Sequence, residues 1–269
     1  MKGNLTSCLS KRCVTADGFS RGFLSINFQL PGPEIQVCKN DIIVVDIFNE
    51  ADGISTSIHW HGMKQIGTQF NDGVPYLTQC PIHFNSQFRY IFRANDVGTH
   101  FYHSHAGNQK ADGLHGVLIV REPIEDNKIA SFYDFDLPQH LILATDWMHE
   151  FSDNYLPVIS KRSALTEAML INGRGRFMNE NLEYSNTPIP VFYVQSGKKF
   201  RFRLINSATN VCPYQLQIES HNFTVIATEL SYVEPFVANT LNYLSGERYD
   251  IVIDAILPIR DYWIRIRET

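Results

Sequence analysis

The 269-residue sequence lacks an excess of basic residues, any long apolar run and a large number of cysteines. Its 23 lysines and arginines are outnumbered by 28 acidic residues, and the net charge of −5 provides no basic face for nucleic acid. No apolar run approaches the ~20 residues that are needed to span a bilayer. The sequence therefore predicts neither a nucleic-acid partner nor a membrane span.

The N-terminal segment also lacks a recognisable secretory signal, because residues 1–13 contain a charge at Lys2 but no apolar core. Five cysteines and two glycosylation sequons, at Asn4 and Asn222, are nevertheless typical of extracellular proteins. An odd number of cysteines leaves at least one thiol without a partner inside the chain. This conflict predicts that the chain is a piece of something longer.

The sequence does contain two His-x-His motifs, set among β-branched and aromatic residues that are typical of strands. The first consists of His59 and His61, and the second of His103 and His105. Because side chains alternate faces along a strand, the histidines of each pair share a face and lie ~6.5–7 Å apart along it. If the two strands are neighbours, four imidazoles converge, and imidazole suits copper, zinc and iron. The alternative for a single pair is two half-buried histidines in a sheet, but two such pairs favour a metal site.

Short strands separated by turns dominate the sequence, which is typical of an all-β sandwich. Residues 41–48 are an almost unbroken run of Ile and Val, a pattern typical of a strand that is buried on both faces. Residues 121–140 are charged and rich in turns, so we place a domain linker there. The other strands are predicted at residues 22–28, 34–38, 87–93 and 116–120 before the linker, and at residues 141–144, 168–171, 191–194, 200–205, 214–218, 223–227, 249–253 and 262–266 after it.

These residues resemble the multicopper oxidases, and most closely the arthropod-type laccases. The resemblance covers almost the whole chain and runs through residues 30–38, 58–62, 71–75, 78–82, 98–107, 109–116, 133–137, 170–173, 201–206 and 245–250. The paired histidine motifs are its most specific part. It implies an all-β fold of two cupredoxin-like (plastocyanin-like) Greek-key β-sandwich domains, at residues 1–123 and 138–269, the second of which is structural. These would be the first two of three domains, and the third domain, which carries the type 1 copper, is absent.

In that family a type 1 copper takes electrons from the substrate, and a trinuclear type 2/type 3 copper cluster reduces O2 to water. The resemblance implies that His59 binds the type 2 copper, while His61, His103 and His105 bind the type 3 pair. These are half of the cluster's ligands, because the third domain supplies the other four, and this sequence lacks the His-Cys-His motif that carries them. Asp72 resembles the family acid that helps deliver protons, and the alternative is an Asp that forms a turn.

The other histidines are predicted to be surface or supporting residues. His100 is out of phase with His103, so we do not expect it to bind the metal. His83 follows Cys80 at a Cys-x-x-His spacing, but no second cysteine pair supports a zinc site. Trp60 and Ser104 fall on the strand faces opposite the histidines and are expected to pack rather than react.

The sequence does not determine which cysteines form disulfide bonds. Cys80 matches the cysteine that ties the first domain to the third in many family members, so the resemblance implies that it is unpaired here. Disulfide bonds remain open among the other four, Cys8, Cys13, Cys38 and Cys212.

The implied function is that of a secreted, laccase-like oxidase that couples oxidation of diphenols to reduction of O2 to water. Its implied partners are O2, a phenolic substrate and the missing C-terminal cupredoxin domain, and the chain alone is expected to be inactive. One alternative is a metal-ion oxidase of the same family that takes electrons from iron(II) or copper(I). Two others are a non-enzymatic copper-binding or interaction module and a zinc hydrolase, since two His-x-His strands can also hold one tetrahedral metal.

Overall fold

The structure is a computed structural model that describes residues 14–155 and 166–269. Strands before the linker are β1 Ile35–Cys38, β2 Ile42–Phe48, β3 Ile58–His61, β4 Gln87–Arg93, β5 Gly98–Ser104 and β6 His115–Arg121. Strands after it are β7 Leu141–Trp147, β8 Ala168–Ile171, β9 Lys199–Asn206, β10 Tyr214–Ile218, β11 Phe223–Thr228, β12 Ser231–Ala238, β13 Thr240–Tyr243, β14 Arg248–Asp254 and β15 Ile264–Glu268. Short 3₁₀ helices span Gln69–Asn71, Ile124–Asp126, Ala130–Phe132, Pro138–His140 and Ser152–Tyr155.

The first half of the chain, residues 14–121, builds two sheets that enclose an apolar core. Four strands in the order β1-β6-β5-β3 form one sheet, which we call the histidine sheet, and β2 and β4 form the other. Trp60 and Tyr102 of the histidine sheet pack with Tyr90 and Phe92 of β4 in this core. Trp60 therefore packs on the face opposite the histidines, as the strand alternation predicts.

Three strand predictions are wrong. The segment 41–48 is not buried on both faces, because one face of β2 is left uncovered by the described residues, with Ile42 and Val44 about half exposed on it. Residues 22–28 form no strand, since Asn27 and Phe28 have φ angles of +52° and +58° that turn the chain. Residues 191–194 also form no strand in this structure despite their β-branched and aromatic pattern, because a strand needs a hydrogen-bonded partner as well as a suitable composition.

The second half, residues 141–269, builds a six-stranded sheet in the order β12-β11-β14-β9-β7-β8 and a three-stranded sheet in the order β13-β10-β15. Among the described residues, none of its strands joins a sheet of the first half. The halves instead meet through buried apolar side chains, with Phe101 and Val117 of the histidine sheet against Leu143 and Ile205. The all-β prediction is therefore confirmed. No helix in the described ranges is long and apolar enough to cross a membrane.

A buried polar network also joins the two halves. The Thr99 hydroxyl in β5 donates to Asp250 Oδ1 at 2.6 Å and accepts from Arg203 Nη1 at 2.8 Å. Arg203 also pairs with Asp136 at 2.6 Å, and Arg201 pairs with Asp250. Burial alone would raise the pKa of Asp250, but the two arginines outweigh it and hold that pKa below its ordinary value. The network anchors the strand that carries His103 to the second half.

Candidate metal centre

The two His-x-His motifs lie on adjacent antiparallel strands, β3 and β5. The register places His59 directly opposite His103, and His61 opposite Phe101. Directly opposed residues of an antiparallel pair share a face, so the two motifs point to the same side of the histidine sheet. Because β3 ends the strand order of that sheet, the four histidines lie at its edge.

The four imidazoles come together as the spacing predicts. The ring centroid of His59 lies 5.5 Å from that of His61, 5.4 Å from that of His103 and 5.4 Å from that of His105. One ring nitrogen from each of His59, His61 and His103 lies within 4.8 Å of the others. The ring centroid of His105 lies 6.1 Å from that of His103, and His105 is not part of the group whose ring nitrogens lie within 4.8 Å of one another.

The closest pair of nitrogens has the separation of two ligands on one metal. His61 Nδ1 and His103 Nε2 lie 3.2 Å apart. Two nitrogens that are each ~2.0 Å from a shared metal subtend about 105° at this separation, which is close to the tetrahedral angle. These two side chains can therefore share one ion, and without a metal the same distance fits a hydrogen bond between the two rings.

Backbone carbonyls fix the tautomers of two rings. His59 Nδ1 donates to the carbonyl oxygen of Asp72 at 2.8 Å, and His103 Nδ1 donates to that of Ser104 at 2.8 Å. A neutral imidazole carries one N–H, so Nε2 of each ring keeps its lone pair for a metal. Such carbonyl contacts orient the ligands of metal sites and set their basicity.

The environment keeps the rings neutral. Burial, reinforced by the nearby charge of Arg248, lowers the pKa of His61 to about 3. Burial and then Lys110 lower the pKa of His103 to about 2, and burial also lowers the pKa of His59. Metal ligands must be deprotonated, and these imidazoles are so at neutral pH. A cluster of neutral imidazoles with free ring nitrogens fits copper.

Asp72 lies beside His59 in a tight turn after the 3₁₀ helix Gln69–Asn71. Its Oδ1 is 3.4 Å from His59 Nδ1, and its side chain is 28% exposed. The next residue, Gly73, has a φ of +82°, and a Cβ there would lie only 1.8 Å from the carbonyl oxygen of Ile58. Only glycine therefore allows this turn to lie against β3 and present Asp72 to the histidine. Asp72 is both a turn residue and a neighbour of the site.

The sequence analysis missed Gln109, a buried amide side chain whose hydrogen bonds connect the two histidine strands. Gln109 Oε1 accepts hydrogen bonds from Thr56 Oγ1 at 2.8 Å and from Ser104 Oγ at 2.7 Å. Its Nε2 donates to the carbonyl oxygen of Ser55 at 2.8 Å. Thr56 precedes β3 and Ser104 ends β5, so Gln109 links the two histidine strands on the face opposite the cluster. Its place in the resembling segment 109–116 was the only sequence signal for it.

Three single histidines are fully buried, namely His100, His115 and His140. His100 was expected only not to bind the metal, and of the surface or supporting positions expected for His115 and His140 the structure excludes the surface. His115 and His140 each use one ring nitrogen on a backbone carbonyl, those of Lys110 and Tyr193. A neutral imidazole that makes such a bond can be buried at modest cost. His100 bonds a backbone carbonyl too, at 2.7 Å, and lies outside the group of converging nitrogens, while His83, His149 and His221 keep part of their surface exposed.

The cysteines of the described residues form no disulfide. Cys38 and Cys80 are exposed, and Cys212 is half-buried. Cys8, Cys13 and the sequon at Asn4 lie outside the described residues. The pairing of Cys8 and Cys13 therefore stays a prediction.

Comparisons with known proteins identify the family of this chain. Two sequence profiles, both described as multicopper oxidase, match residues 9–125 and 139–269. The chain is 35% identical to laccase-1 of Fomitopsis schrenkii, over 94% of this chain and 46% of that protein, and 36% identical to laccase-4 of Trametes villosa, over 96% and 48%. The crystal structure of the laccase from Botrytis aclada superposes with a TM-score of 0.81 and 32% identity, over 94% of this chain and 46% of that one.

These similarities confirm the cupredoxin-like all-β fold. The chain spans about half the length of the curated relatives it matches. Those relatives are fungal, so the comparisons support the family but not the finer resemblance to arthropod-type laccases.

Proposed function

The chain belongs to the multicopper oxidase family, and on that basis we propose that it is the N-terminal part of a laccase-like oxidase. Its activity in the complete protein is oxidation of diphenols coupled to reduction of O2 to water. Its two cupredoxin-like domains comprise residues 1–123 and 138–269. The observation that carries the proposal is the convergence of four imidazoles at one sheet edge, with free ring nitrogens on His59 and His103.

Copper is the cofactor that this donor set would hold. His59 would bind the type 2 copper, and His61, His103 and His105 would bind the type 3 pair, which makes half of the ligands of a trinuclear cluster. Bound copper would supply the one-electron chemistry that reduction of O2 requires. The chain contributes rigidity, because the β3–β5 register and the carbonyls of Asp72 and Ser104 hold the rings in place before metal arrives.

Asp72 is our candidate for proton delivery. Its carboxylate is partly exposed, so water reaches it, and it lies 3.4 Å from His59 Nδ1. Because its backbone carbonyl already orients the ring of His59, the side chain is free to carry a proton between solvent and the site. The variant Asp72→Asn keeps the backbone bond and removes only the titrating group.

A third, C-terminal cupredoxin domain is the proposed partner. The loop of residues 65–80, which contains Asp72, exposes four large apolar side chains, Ile66, Phe70, Tyr76 and Leu77, each more than two-thirds accessible. Clustered exposed apolar side chains mark surfaces that another protein unit covers. Cys80 is also exposed on this loop, where a disulfide to such a domain could form. O2 and a phenol complete the set of partners.

Secretion is the proposed localisation, by similarity to the family. Asn222 of the second sequon is exposed in the turn before β11, so a glycan could be attached there. A glycan at Asn222 in material from the native source would support this proposal.

A metal-ion oxidase is the alternative activity. The crystal structure of Fet3p, described as a multicopper oxidase that functions in iron import, superposes with a TM-score of 0.80 and 27% identity, over 94% of this chain and 46% of that one. Among the described residues, the group of side chains that could hold a metal ion is the histidine cluster itself. No second group that could bind iron(II) as an electron donor is found there, so the described residues do not decide between a phenol and iron(II). A third reading, a copper-binding module without catalysis, is favoured if the chain binds copper but no partner domain restores turnover.

Oxygen uptake by the copper-loaded chain tests the proposal. We expect no sustained uptake with a diphenol or with iron(II), and no blue absorption from a cysteine-ligated copper, because half of the ligands and the electron entry site are missing. Addition of the third domain in trans should restore some uptake, and the donor that supports it decides between the two oxidase activities. Copper-dependent uptake by this chain alone that disappears in His103→Ala would contradict the reading of an incomplete oxidase.

A further inference from the structure

A turn of the second half reaches across the interface to His61. Gly246, between β13 and β14, has a φ of +88°, and a Cβ there would lie 3.0 Å from Cε1 and 3.3 Å from Nε2 of His61. Nδ1 of the same ring, next to Cε1, points at His103 Nε2, and Phe101 stacks on the ring with centroids 4.4 Å apart. The imidazole is therefore enclosed on three sides, one of which comes from the second half.

Arg248 holds this turn against both histidine strands. Its Nη1 donates to the Gly246 carbonyl oxygen at 3.0 Å, and its Nε donates to the Thr99 carbonyl oxygen in β5 at 3.1 Å. Its Nη2 occupies the space beside Gly62, the residue after His61, where a Cβ would lie 2.5 Å away. The guanidinium is 97% buried and is charge-balanced by Glu229. One side chain thus joins the end of β3, the start of β5 and the turn that touches His61.

We propose that Gly246 and Arg248 are positioning residues that fix the ring of His61 with Nδ1 towards the copper cluster. The second half, expected to be structural, therefore shapes the metal site directly. This inference rests on the proposed function for its consequence, which is copper binding, but not for the orientation of the ring itself. It also explains why glycine follows the first His-x-His motif, since any side chain at residue 62 would displace Arg248.

The physical reason lies in the choice between the two ring nitrogens. A rotation of the His61 ring by 180° would turn Nδ1 away from His103 and leave the shared metal position without one ligand. A methyl group at residue 246 would press on the Cε1–Nε2 edge and push the ring away from His103, so glycine keeps open the space that the ring needs, and the stacked Phe101 restrains its tilt. Residues outside the ligand set that orient metal-binding histidines typically change metal affinity by 10–100-fold when they are mutated.

Two glycine variants of the full chain test the proposal. Gly246→Ala places a methyl group against His61, whereas Gly197→Ala is a matched control, because Gly197 has a φ of +77° and nothing within 4 Å of the added Cβ. Long-range ¹H–¹⁵N spectra of the metal-free protein report the tautomer and environment of His61. Titration with copper(II) against a competing chelator reports affinity. We expect Gly246→Ala to shift the His61 ring resonances and to weaken copper binding ~10–100-fold, while Gly197→Ala changes neither.

Substitution of Arg248 tests whether its hydrogen bonds or its positive charge position the ring of His61. Arg248→Lys keeps the positive charge but cannot bridge three partners, and it should reproduce the effect of Gly246→Ala, whereas Arg265→Met at an exposed site should not. His61 resonances that are unchanged in Gly246→Ala would overturn the proposal, even if the wild-type chain binds copper. If the wild-type chain binds no copper, the proposed function fails, and the metal-free spectra still decide whether the ring is positioned in this way.

Discussion

Replacement of Gly73 by alanine tests whether the turn that presents Asp72 depends on close approach to β3. A Cβ at residue 73 would lie 1.8 Å from the carbonyl oxygen and 2.4 Å from the carbonyl carbon of Ile58, both of which are backbone atoms. Neither atom can rotate away, so the turn must move. Because His59 Nδ1 donates to the Asp72 carbonyl at 2.8 Å, we expect that bond to break as well.

The magnitude follows from a matched position in the same loop. Gly67 has a φ of +76° with nothing within 4 Å, so Gly67→Ala should cost only the backbone term of ~1–2 kcal/mol. Gly73→Ala, at a φ of +82°, carries the same term. It adds about 1–3 kcal/mol for overpacking and about 1 kcal/mol for the lost hydrogen bond. The two variants should therefore differ by roughly 2–4 kcal/mol in the free energy of unfolding.

Thermal and urea unfolding of the two variants, followed by circular dichroism, measure this difference. At ~4 °C per kcal/mol, the value between those for domains of 60–100 and of 150–250 residues, the Tm of Gly73→Ala should fall roughly 8–16 °C below that of Gly67→Ala. Copper affinity should fall with it, because the His59 ring loses its orienting carbonyl. Equal Tm values would refute the argument that close packing against Ile58 requires glycine here.

Three further predictions concern other contacts of the site and its supports. Gln109→Leu removes the acceptor of two buried hydroxyls, those of Thr56 and Ser104, which lie 3.2 Å apart and can still bond each other. Urea unfolding should therefore show a loss of ~1–3 kcal/mol for the one hydroxyl left without an acceptor, and an unchanged midpoint would contradict the link between the histidine strands. A thiol reagent under native conditions should label exposed Cys80 faster than half-buried Cys212, and protection of Cys80 would reveal a disulfide. The pKa of Asp250 is held below its usual 3.8. The ionised carboxylate therefore contributes its full stabilisation above pH 3.8, and this contribution is lost as the pH falls through the pKa of the folded state. Asp250→Asn should abolish this part of the dependence of the free energy of unfolding on acid pH.

The grouping of the four histidines was predictable from the sequence because it depends on local geometry and one pairing. Alternation along a strand places His59 with His61, and His103 with His105, whatever the rest of the chain does. Only the adjacency of β3 and β5 had to be assumed, and the structure confirms it.

The surroundings of the site were not predictable, because they come from residues distant in sequence. Gly246 and Arg248 contact the first half only because the two halves pack together, and the sequence pattern around them does not predict this contact. Gln109 looks like an ordinary loop residue until its three hydrogen bonds are seen. An apolar run such as residues 41–48 likewise does not reveal whether one or two faces are covered, since that depends on which sheets pack against it.

Copper affinity of the chain tests the central claim most directly. We propose a titration with copper(II) against a competing chelator for the wild type, His103→Ala and His83→Ala, with circular dichroism to verify that each variant is folded. His83 is an exposed histidine outside the cluster, and its replacement controls for adventitious binding. The account predicts copper binding that His103→Ala weakens at least ~10-fold and that His83→Ala leaves unchanged. Equal affinity in all three proteins would contradict the assignment of the four imidazoles as a copper site.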